Sequence, residues 1–170
     1  MMVVVTITAI LALVGVSLFR KYIGSSKGTE ALYVIQAIRA AEESYQAENH
    51  TYLDVSTANG RKGWYPNLTP NTTRYAWARP THPDWARWQT LAPAVTRPVQ
   101  FGFLVYAGAS GVAIPALQLT AGPTYSTPTD DWYLIQAEGD TDGNGVFAQY
   151  ATVSAAGQPA GDVWSSNEGE

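Results

Sequence analysis

The residues of this chain that could do chemistry are few, and the densest group is a short run of oxygen-bearing side chains. Asp140, Asp142 and Asn144 alternate along the chain, and a glycine follows each of the last two. Alternating oxygen ligands followed by a glycine form the first half of a calcium loop of the EF-hand type. The closing carboxylate is missing because Ala151 occupies its position, and Glu138 is the nearby substitute. The same residue types make tight turns, and we favour a hairpin turn over bound calcium.

The remaining polar residues do not match a catalytic motif. The chain has two histidines, His50 and His82, and no cysteine, so we expect no histidine or cysteine metal site. Spacing alone leaves a Ser-His-Asp arrangement open, but the sequence has no Gly-x-Ser-x-Gly elbow, P-loop or dinucleotide fingerprint. Asp130 and Asp131 are adjacent, and adjacent residues of a strand point to opposite faces. We therefore predict that the protein is not an enzyme and, apart from the calcium alternative, binds no cofactor.

Aromatic residues form a second group that could bind a ligand. Such residues can stack on sugars, but they also dominate protein cores and subunit interfaces, and we favour packing. The residues concerned are Trp64, Tyr65, Trp77, Trp85 and Trp88.

Charge is sparse and unevenly distributed. Charged residues make up 14% of the chain, whereas an average domain has about 25%. All ten Lys and Arg and six of the fourteen acidic residues precede Pro98, so residues 1–97 carry a net charge of +4 and residues 98–170 of −8. The chain lacks the dense basic face of a nucleic-acid-binding protein. We favour an acidic solvent-exposed surface, and the alternative is that copies pack basic surface against acidic surface.

The elements that position these residues begin with an apolar segment. Met1 to Phe19 contains no charged residue in 19 positions, close to the roughly 20 that a membrane-spanning helix needs. A secretory signal peptide would have a basic start and a shorter apolar run. We therefore predict that residues 1–23 form a helix that spans a membrane or lies in a lipid-like environment.

The pattern then changes to an amphipathic helix over about residues 29–48. Thr29 is the expected N-cap, after a small polar stretch at 23–28 that favours a kink or a weak point in the helix. Apolar residues then recur at helical spacing. If the helix is continuous, its 48 residues make a rod of about 70 Å that projects from the rest of the chain. The apolar stripe consists of Ala31, Val34, Ile38, Ala41 and Tyr45.

Beyond Asn49 the chain alternates between turns and short β-like runs. Residues 66–98 have no periodicity, and we predict an irregular loop pinned by aromatic residues. The fold class is therefore α+β: a long N-terminal helix, whose amphipathic half packs on a small antiparallel sheet, within a head domain of residues 24–170. Loops and sheet occupy about residues 52–164, and the predicted strands are 52–55, 75–78, 101–107, 133–137 and 146–153.

Three segments together resemble the type IV pilins and the pseudopilins of type II secretion. They are MMVVVTITAILALVGVSLFRKYI, AAEESYQAENHTYLDV and DDWYLIQAEGDTDGNGVFAQYATV. The resemblance implies a pilin-like fold. In the family, an aromatic residue begins the processed chain and a Glu follows a few positions later. Alignment places both upstream of Met1, so we expect a Gly-Phe-x-x-x-Glu sequence there.

The resemblance also implies a function. The chain would be a structural subunit that polymerises through its apolar helix into an extracellular type IV pilus, a fibre used in adhesion and motility. Its partners would be identical copies, membrane lipid before assembly, a prepilin peptidase and the inner-membrane assembly machinery. The alternatives are a periplasmic pseudopilin of type II secretion and a membrane-anchored glycan-binding or adhesive domain. The predicted filament interface consists of Val3, Val4, Val5, Ile7, Ile10, Leu11, Leu13, Val14, Val16, Leu18 and Phe19.

Overall fold

The architecture is a long helix packed on a four-stranded antiparallel sheet with the order β1-β2-β3-β4. The computed structural model describes residues 2–56, 63–155 and 162–168, and within the first helix it describes the side chains at positions 3, 4, 7, 11, 12 and from 26 onwards. The predicted α+β class is confirmed. The elements are α1 (Met2–Asn49), α2 (Trp85–Leu91), β1 (Gly102–Gly108), β2 (Trp132–Gly139), β3 (Ala148–Val153) and β4 (Trp164–Ser166).

Helix α1 runs without a break for 48 residues, a length of about 70 Å. The cap predicted at Thr29 is therefore wrong, because Thr29 lies inside the helix, and the kink at 23–28 stays a prediction. The physical reason lies at Gly28, where a Cβ atom would lie 2.5 Å from the hydroxyl of Tyr150. This glycine permits close packing of the helix on β3 rather than ending a helix. Next to it, Lys27 Nζ donates a hydrogen bond to the carbonyl oxygen of Thr141 at 2.6 Å.

The main core lies between the second half of α1 and the inner face of the sheet. Ala31, Ile35 and Ile38 are fully buried, and Val34 is 1% exposed. Cross-strand pairing aligns the sheet residues that meet them, with Val105 opposite Ile135. The inner face supplies Phe103, Val105, Tyr133, Ile135, Ala137 and Tyr150 to this core.

A second, smaller core covers the outer face of the sheet. The segment between β1 and β2 folds back over that face and packs Ile114, Leu117 and Tyr125 against it. The backbone N–H of Gln118 fixes the segment by donating to Gln136 Oε1 at 2.6 Å. The buried residues of this cluster are Leu104, Tyr106, Trp132, Leu134, Val153 and Ala155.

Three of the five predicted strands are present as β1, β2 and β3, and two are not. Residues 52–55 are extended but do not join a strand ladder, because the N–H of Leu53 donates to the Glu42 carboxylate instead. Tyr75 forms only an isolated bridge with Val99. The segment predicted to be irregular contains α2, whose seven residues are too few to show a period. The three-residue strand β4 was also not predicted.

Candidate functional site

The first half of α1 exposes apolar side chains. Val3 is 71% exposed, Val4 65%, Ile7 52% and Leu11 66%. Positions 3, 7 and 11 are four residues apart and therefore share one helix face. Among the residues whose side chains are described, no helix is both long and apolar enough to span a membrane. The other predicted interface residues lie outside the described side chains: Val5, Ile10, Leu13, Val14, Val16, Leu18 and Phe19.

The second half of α1 contains a buried carboxyl group that the sequence analysis missed. Glu42 is fully buried, and its Oε2 accepts a hydrogen bond from the N–H of Leu53 at 2.9 Å. The pKa of Glu42 is raised to about 7, mainly because the group is buried. The hydrogen bond from Leu53 lowers this pKa, and the negative charges of Asp54 and Glu43 raise it further. Glu42 lies at helical spacing from Ala31 and Ile38, so its carboxyl group falls on the buried stripe. This spacing is the feature of the sequence that predicts its burial.

The segment with Asp140, Asp142 and Asn144 is the turn between β2 and β3, as predicted. The two carboxylate oxygens of Asp140 accept hydrogen bonds from the N–H groups of Gly143 and Gly145, at 2.7 and 3.2 Å. Both glycines have positive φ angles, of 84° and 82°, which favour glycine. Asp142 Oδ1 accepts from the N–H of Asn144 at 3.1 Å. The three candidate calcium ligands therefore lie together in one turn.

The rest of a calcium site is not assembled around this turn. Glu138, the substitute ligand, accepts a hydrogen bond from Gln149 Nε2 at 2.9 Å, across the β2–β3 pair. Ala151 is buried in β3. Within residues 2–56, 63–155 and 162–168, no group of three or more His, Asp or Glu side chains could hold a metal ion. Calcium binding at the turn stays a prediction.

Four of the five aromatic residues pack in the main core. Tyr65 stacks on Trp88 with ring centroids 4.8 Å apart, and Trp77 meets both rings edge-on at 4.9 and 5.2 Å. Tyr65 and Trp88 are 0% and 1% exposed. Trp85 is partly buried against this core, whereas Trp64 packs against the outer-face cluster. The predicted packing role is confirmed for these residues.

The two histidines lie in different surroundings. His82 is buried edge-on to Tyr65, and its Nδ1 accepts a hydrogen bond from the N–H of Asp84 at 3.1 Å. Its Nε2 lies 3.1 Å from the carbonyl oxygen of Trp64 and therefore donates. Burial lowers the pKa of His82, which agrees with a neutral ring that has one donor and one acceptor. His50 lies at the end of α1 with a φ of 60°.

Charged groups mark the end of the head from which the first half of α1 projects. A groove of about 700 Å³ lies there between α1 and residues 95–99. Arg74 forms an ion pair with Glu30 in this groove, and Glu30 also accepts a hydrogen bond from the N–H of Gln100 at 2.7 Å. Arg97 lines the groove and is exposed, as is Tyr33, which is 56% exposed.

The opposite end of the sheet carries carboxylates. Asp130 is exposed just before β2, and Asp131 Oδ1 accepts a hydrogen bond from the N–H of Ser110 at 2.9 Å. The C-terminal end of α1 reaches the same end, because Tyr52 meets Tyr133 at a centroid distance of 4.9 Å. Glu43, nearly two turns before the end of the helix at Asn49, is also exposed.

No protein-family model, characterised protein or solved structure matches this chain. The function is therefore inferred from the geometry of α1, the sheet and the two charged ends of the head.

Proposed function

We propose that this protein is a structural subunit that polymerises through the first half of α1 into an extracellular type IV pilus filament. The observation that carries the proposal is the contrast within one 48-residue helix. Its second half buries an apolar stripe on the sheet, whereas its first half exposes Val3, Ile7 and Leu11. Each CH₂ group left in water costs about 0.8 kcal/mol. Such a helix requires a cover that the chain's own head does not provide at these positions.

The apolar side chains of this helix are surrounded by different molecules before and after assembly. Before assembly, lipid of the inner membrane surrounds the apolar segment; after assembly, equivalent helices of other copies replace the lipid. The transfer requires assembly machinery in the inner membrane, and maturation requires a prepilin peptidase. Copies that contact one another through non-equivalent surfaces form an open helical fibre rather than a closed ring. The mature subunit would then lie on the cell surface, and no cofactor enters this proposal.

The sequence resemblance supports the pilin-like character of the fold. The three segments that resemble type IV pilins fall on α1, on its exit at residues 50–55 and on the β2–β3 pair. The burial of Tyr65 and Trp88 argues against a glycan-binding domain, because buried rings do not offer their faces to a sugar. A periplasmic pseudopilin would use the same helix, and the place where filaments form separates it from a pilus.

The test is whether a charge in the exposed half of α1 prevents assembly. In cells that produce the full chain with its assembly machinery, we expect Ile7→Asp to abolish the filaments seen by electron microscopy of sheared surface material. Val112→Asp is the matched control, because Val112 is 51% exposed on the head, and it should leave filaments unchanged. Equal filament yields from both variants would overturn the proposal. Filaments confined to the periplasm would assign the chain to the pseudopilins.

A further inference from the structure

The turn between β2 and β3 contains an asparagine that is followed directly by a glycine. Asn144 and Gly145 are exposed, as are their neighbours from 142 to 146. Because glycine has no side chain, its backbone nitrogen can approach the side-chain carbonyl carbon of the preceding asparagine. A reaction between these two atoms is intramolecular and needs no encounter with a second molecule. A Cβ added at Gly145 would meet no atom within 4 Å, so the surroundings leave room for the backbone to change shape.

The nucleophile of this reaction is the backbone nitrogen of Gly145, and a carboxylate lies beside it. The N–H of Gly145 donates a hydrogen bond to Asp140 Oδ2 at 3.2 Å. This distance is within the range at which a base takes a proton from its hydrogen-bond donor. The other oxygen of Asp140 accepts from the N–H of Gly143 at 2.7 Å, which keeps the carboxylate in place. Asp140 is therefore positioned as the base.

The side-chain amide of Asn144, which would be attacked, is held at both of its polar atoms. Its Oδ1 accepts a hydrogen bond from the N–H of Val146 at 2.6 Å, and its Nδ2 donates to Asp142 Oδ2 at 3.0 Å. A donor at Oδ1 stabilises the negative charge that develops on this oxygen when the carbon is attacked. The carboxylate of Asp142 orients the nitrogen that must leave.

We propose that Asn144 deamidates spontaneously in the folded protein, with the nitrogen of Gly145 as the nucleophile and Asp140 as the base. The Gly145 nitrogen gives its proton to Asp140 and forms a bond to Asn144 Cγ, which closes a succinimide ring. The bond between Cγ and Nδ2 breaks, and Nδ2 takes up the proton and leaves as ammonia. Water then adds to either carbonyl carbon of the ring and opens it to aspartate or isoaspartate.

The modification changes the turn in two ways. A neutral amide becomes a carboxylate, so the turn gains a negative charge beside Asp140 and Asp142. Isoaspartate also adds a carbon atom to the backbone, which separates the N–H of Val146 from the side-chain oxygen that it now meets. Deamidation at this turn does not depend on filament formation, so its absence would leave the proposed function in place.

Heavy-oxygen water detects the reaction directly, because opening of the ring transfers one oxygen atom from water to the protein. The full chain in detergent is kept in this water at neutral pH for several weeks and is then digested with chymotrypsin in ordinary water. Cleavage after Leu134 and Phe147 releases a peptide in which Asn144 is the only asparagine. We expect mass spectrometry to show one heavy oxygen in this peptide, in both aspartate and isoaspartate products.

Other asparagines of the same chain are internal controls. Asn67 and Asn71 are followed by Leu68 and Thr72, whose side chains hinder the approach of the backbone nitrogen, so their peptides should remain unlabelled. Asn59 is also followed by a glycine, but it lies outside the described residues, and its peptide is analysed separately.

Asp140→Asn tests the base. The variant keeps an oxygen that can accept the two N–H groups, but this oxygen does not take up a proton at neutral pH. We expect labelling at Asn144 to slow at least about threefold; the effect is smaller than the roughly hundredfold of an enclosed enzyme site, because water reaches this exposed turn. Asp130→Asn makes the same change at an exposed carboxyl outside the turn and should leave the rate unchanged. Melting followed by tryptophan fluorescence verifies that both variants fold.

A comparison that needs no variant measures the effect of the turn itself. The folded chain should label Asn144 at least about threefold faster than the same chain in guanidinium, because unfolding separates Asp140 from the Gly145 nitrogen. Absence of heavy oxygen at Asn144 in the folded chain would overturn the proposal. Labelling that is as fast in guanidinium, or as fast in a folded Asp140→Asn variant, would overturn the role of Asp140.

Discussion

The two halves of α1 have the same backbone and opposite surroundings. From Ala31 to Ile38 the helix buries its apolar stripe on the sheet, whereas at Val3, Ile7 and Leu11 apolar side chains are exposed. The backbone does not change between the halves, because the helix continues through Gly28. The difference teaches that helix formation and side-chain burial are separate requirements, and that the head meets the second one at Ala31 to Ile38 but not at Val3, Ile7 and Leu11.

The strongest test of this comparison is the same substitution in each half. Ile35→Ala should lower the free energy of unfolding of the head by about 2–5 kcal/mol, because Ile35 is fully buried and a cavity would remain. Ile7→Ala removes the same atoms from an exposed position and should change the free energy of unfolding by less than about 0.5 kcal/mol. Denaturant unfolding of the full chain in detergent, followed by tryptophan fluorescence, measures both. Similar losses from the two variants would break the comparison.

The second prediction concerns pH and the buried carboxyl of Glu42. Its pKa is raised from 4.5 to about 7 in the folded state, so the folded head holds a proton that the unfolded chain releases. Stability is therefore fully present below pH 4.5 and decreases as the pH rises toward 7, by a total on the order of 1–3 kcal/mol.

Unfolding measured across this pH range tests the assignment. We expect Glu42→Gln to remove most of the decrease, with the remainder due to Asp54 and Glu138, because burial also raises the pKa of each of these carboxyl groups. Glu43→Gln, which changes the neighbouring exposed carboxyl, should retain most of the decrease. An undiminished decrease in Glu42→Gln would contradict the assignment to Glu42.

The third prediction tests the position where the two halves meet. Helix propensity alone predicts that Gly28→Ala stabilises the chain by about 0.5–1 kcal/mol. The close approach of Tyr150 predicts the opposite, a loss of about 1–2 kcal/mol, since the new Cβ would overlap its hydroxyl. Ser26→Ala, at an exposed position of the same helix, is the control. Tyr150→Phe should relieve the loss in the double variant, and a stabilised Gly28→Ala chain would contradict the packing argument.

The smallest effect is expected at the turn between β2 and β3. Asp140→Ala should lower the stability by about 0.5–1.5 kcal/mol, because it removes the acceptor of two backbone N–H groups. Asp130→Ala, at an exposed carboxylate outside the turn, should have a negligible effect. Since the turn is held by its own hydrogen bonds, we expect millimolar calcium to leave the melting temperature unchanged. A rise in melting temperature that Asp140→Ala abolishes would establish the calcium alternative.

Periodic segments were predictable from the sequence, and contacts between distant segments were not. The apolar stripe of α1 and the strands β1, β2 and β3 are visible in the sequence as regular patterns of apolar residues. Residues 52–55 have a strand-like composition, but the N–H of Leu53 donates to the Glu42 carboxylate, and the bond to the Val105 carbonyl oxygen comes from Ser56, beyond this run. Gly28 was interpreted as a helix weak point because Tyr150, which requires it, is distant in sequence.

The candidate sites show the same limit. The β2–β3 turn was predictable, because Asp, Asn and Gly determine its hydrogen bonds locally. The groove between α1 and residues 95–99 combines residues near 30, 74 and 97, and their proximity depends on the complete fold. Glu42 was overlooked because its charge suggests solvent, although its position on the apolar stripe indicated burial.

The continuity of α1 has a mechanical consequence. The helix passes from the contact of Gly28 with Tyr150 at one end of the sheet to the contact of Glu42 with Leu53 at the other. A pulling force along the axis of α1 would therefore load the buried contacts between these points in shear, side by side. Contacts loaded in this way share the tension and yield together. Force spectroscopy on the full chain should record a single rupture event in which the head separates from the helix. A series of small rupture events would show that other contacts carry the load.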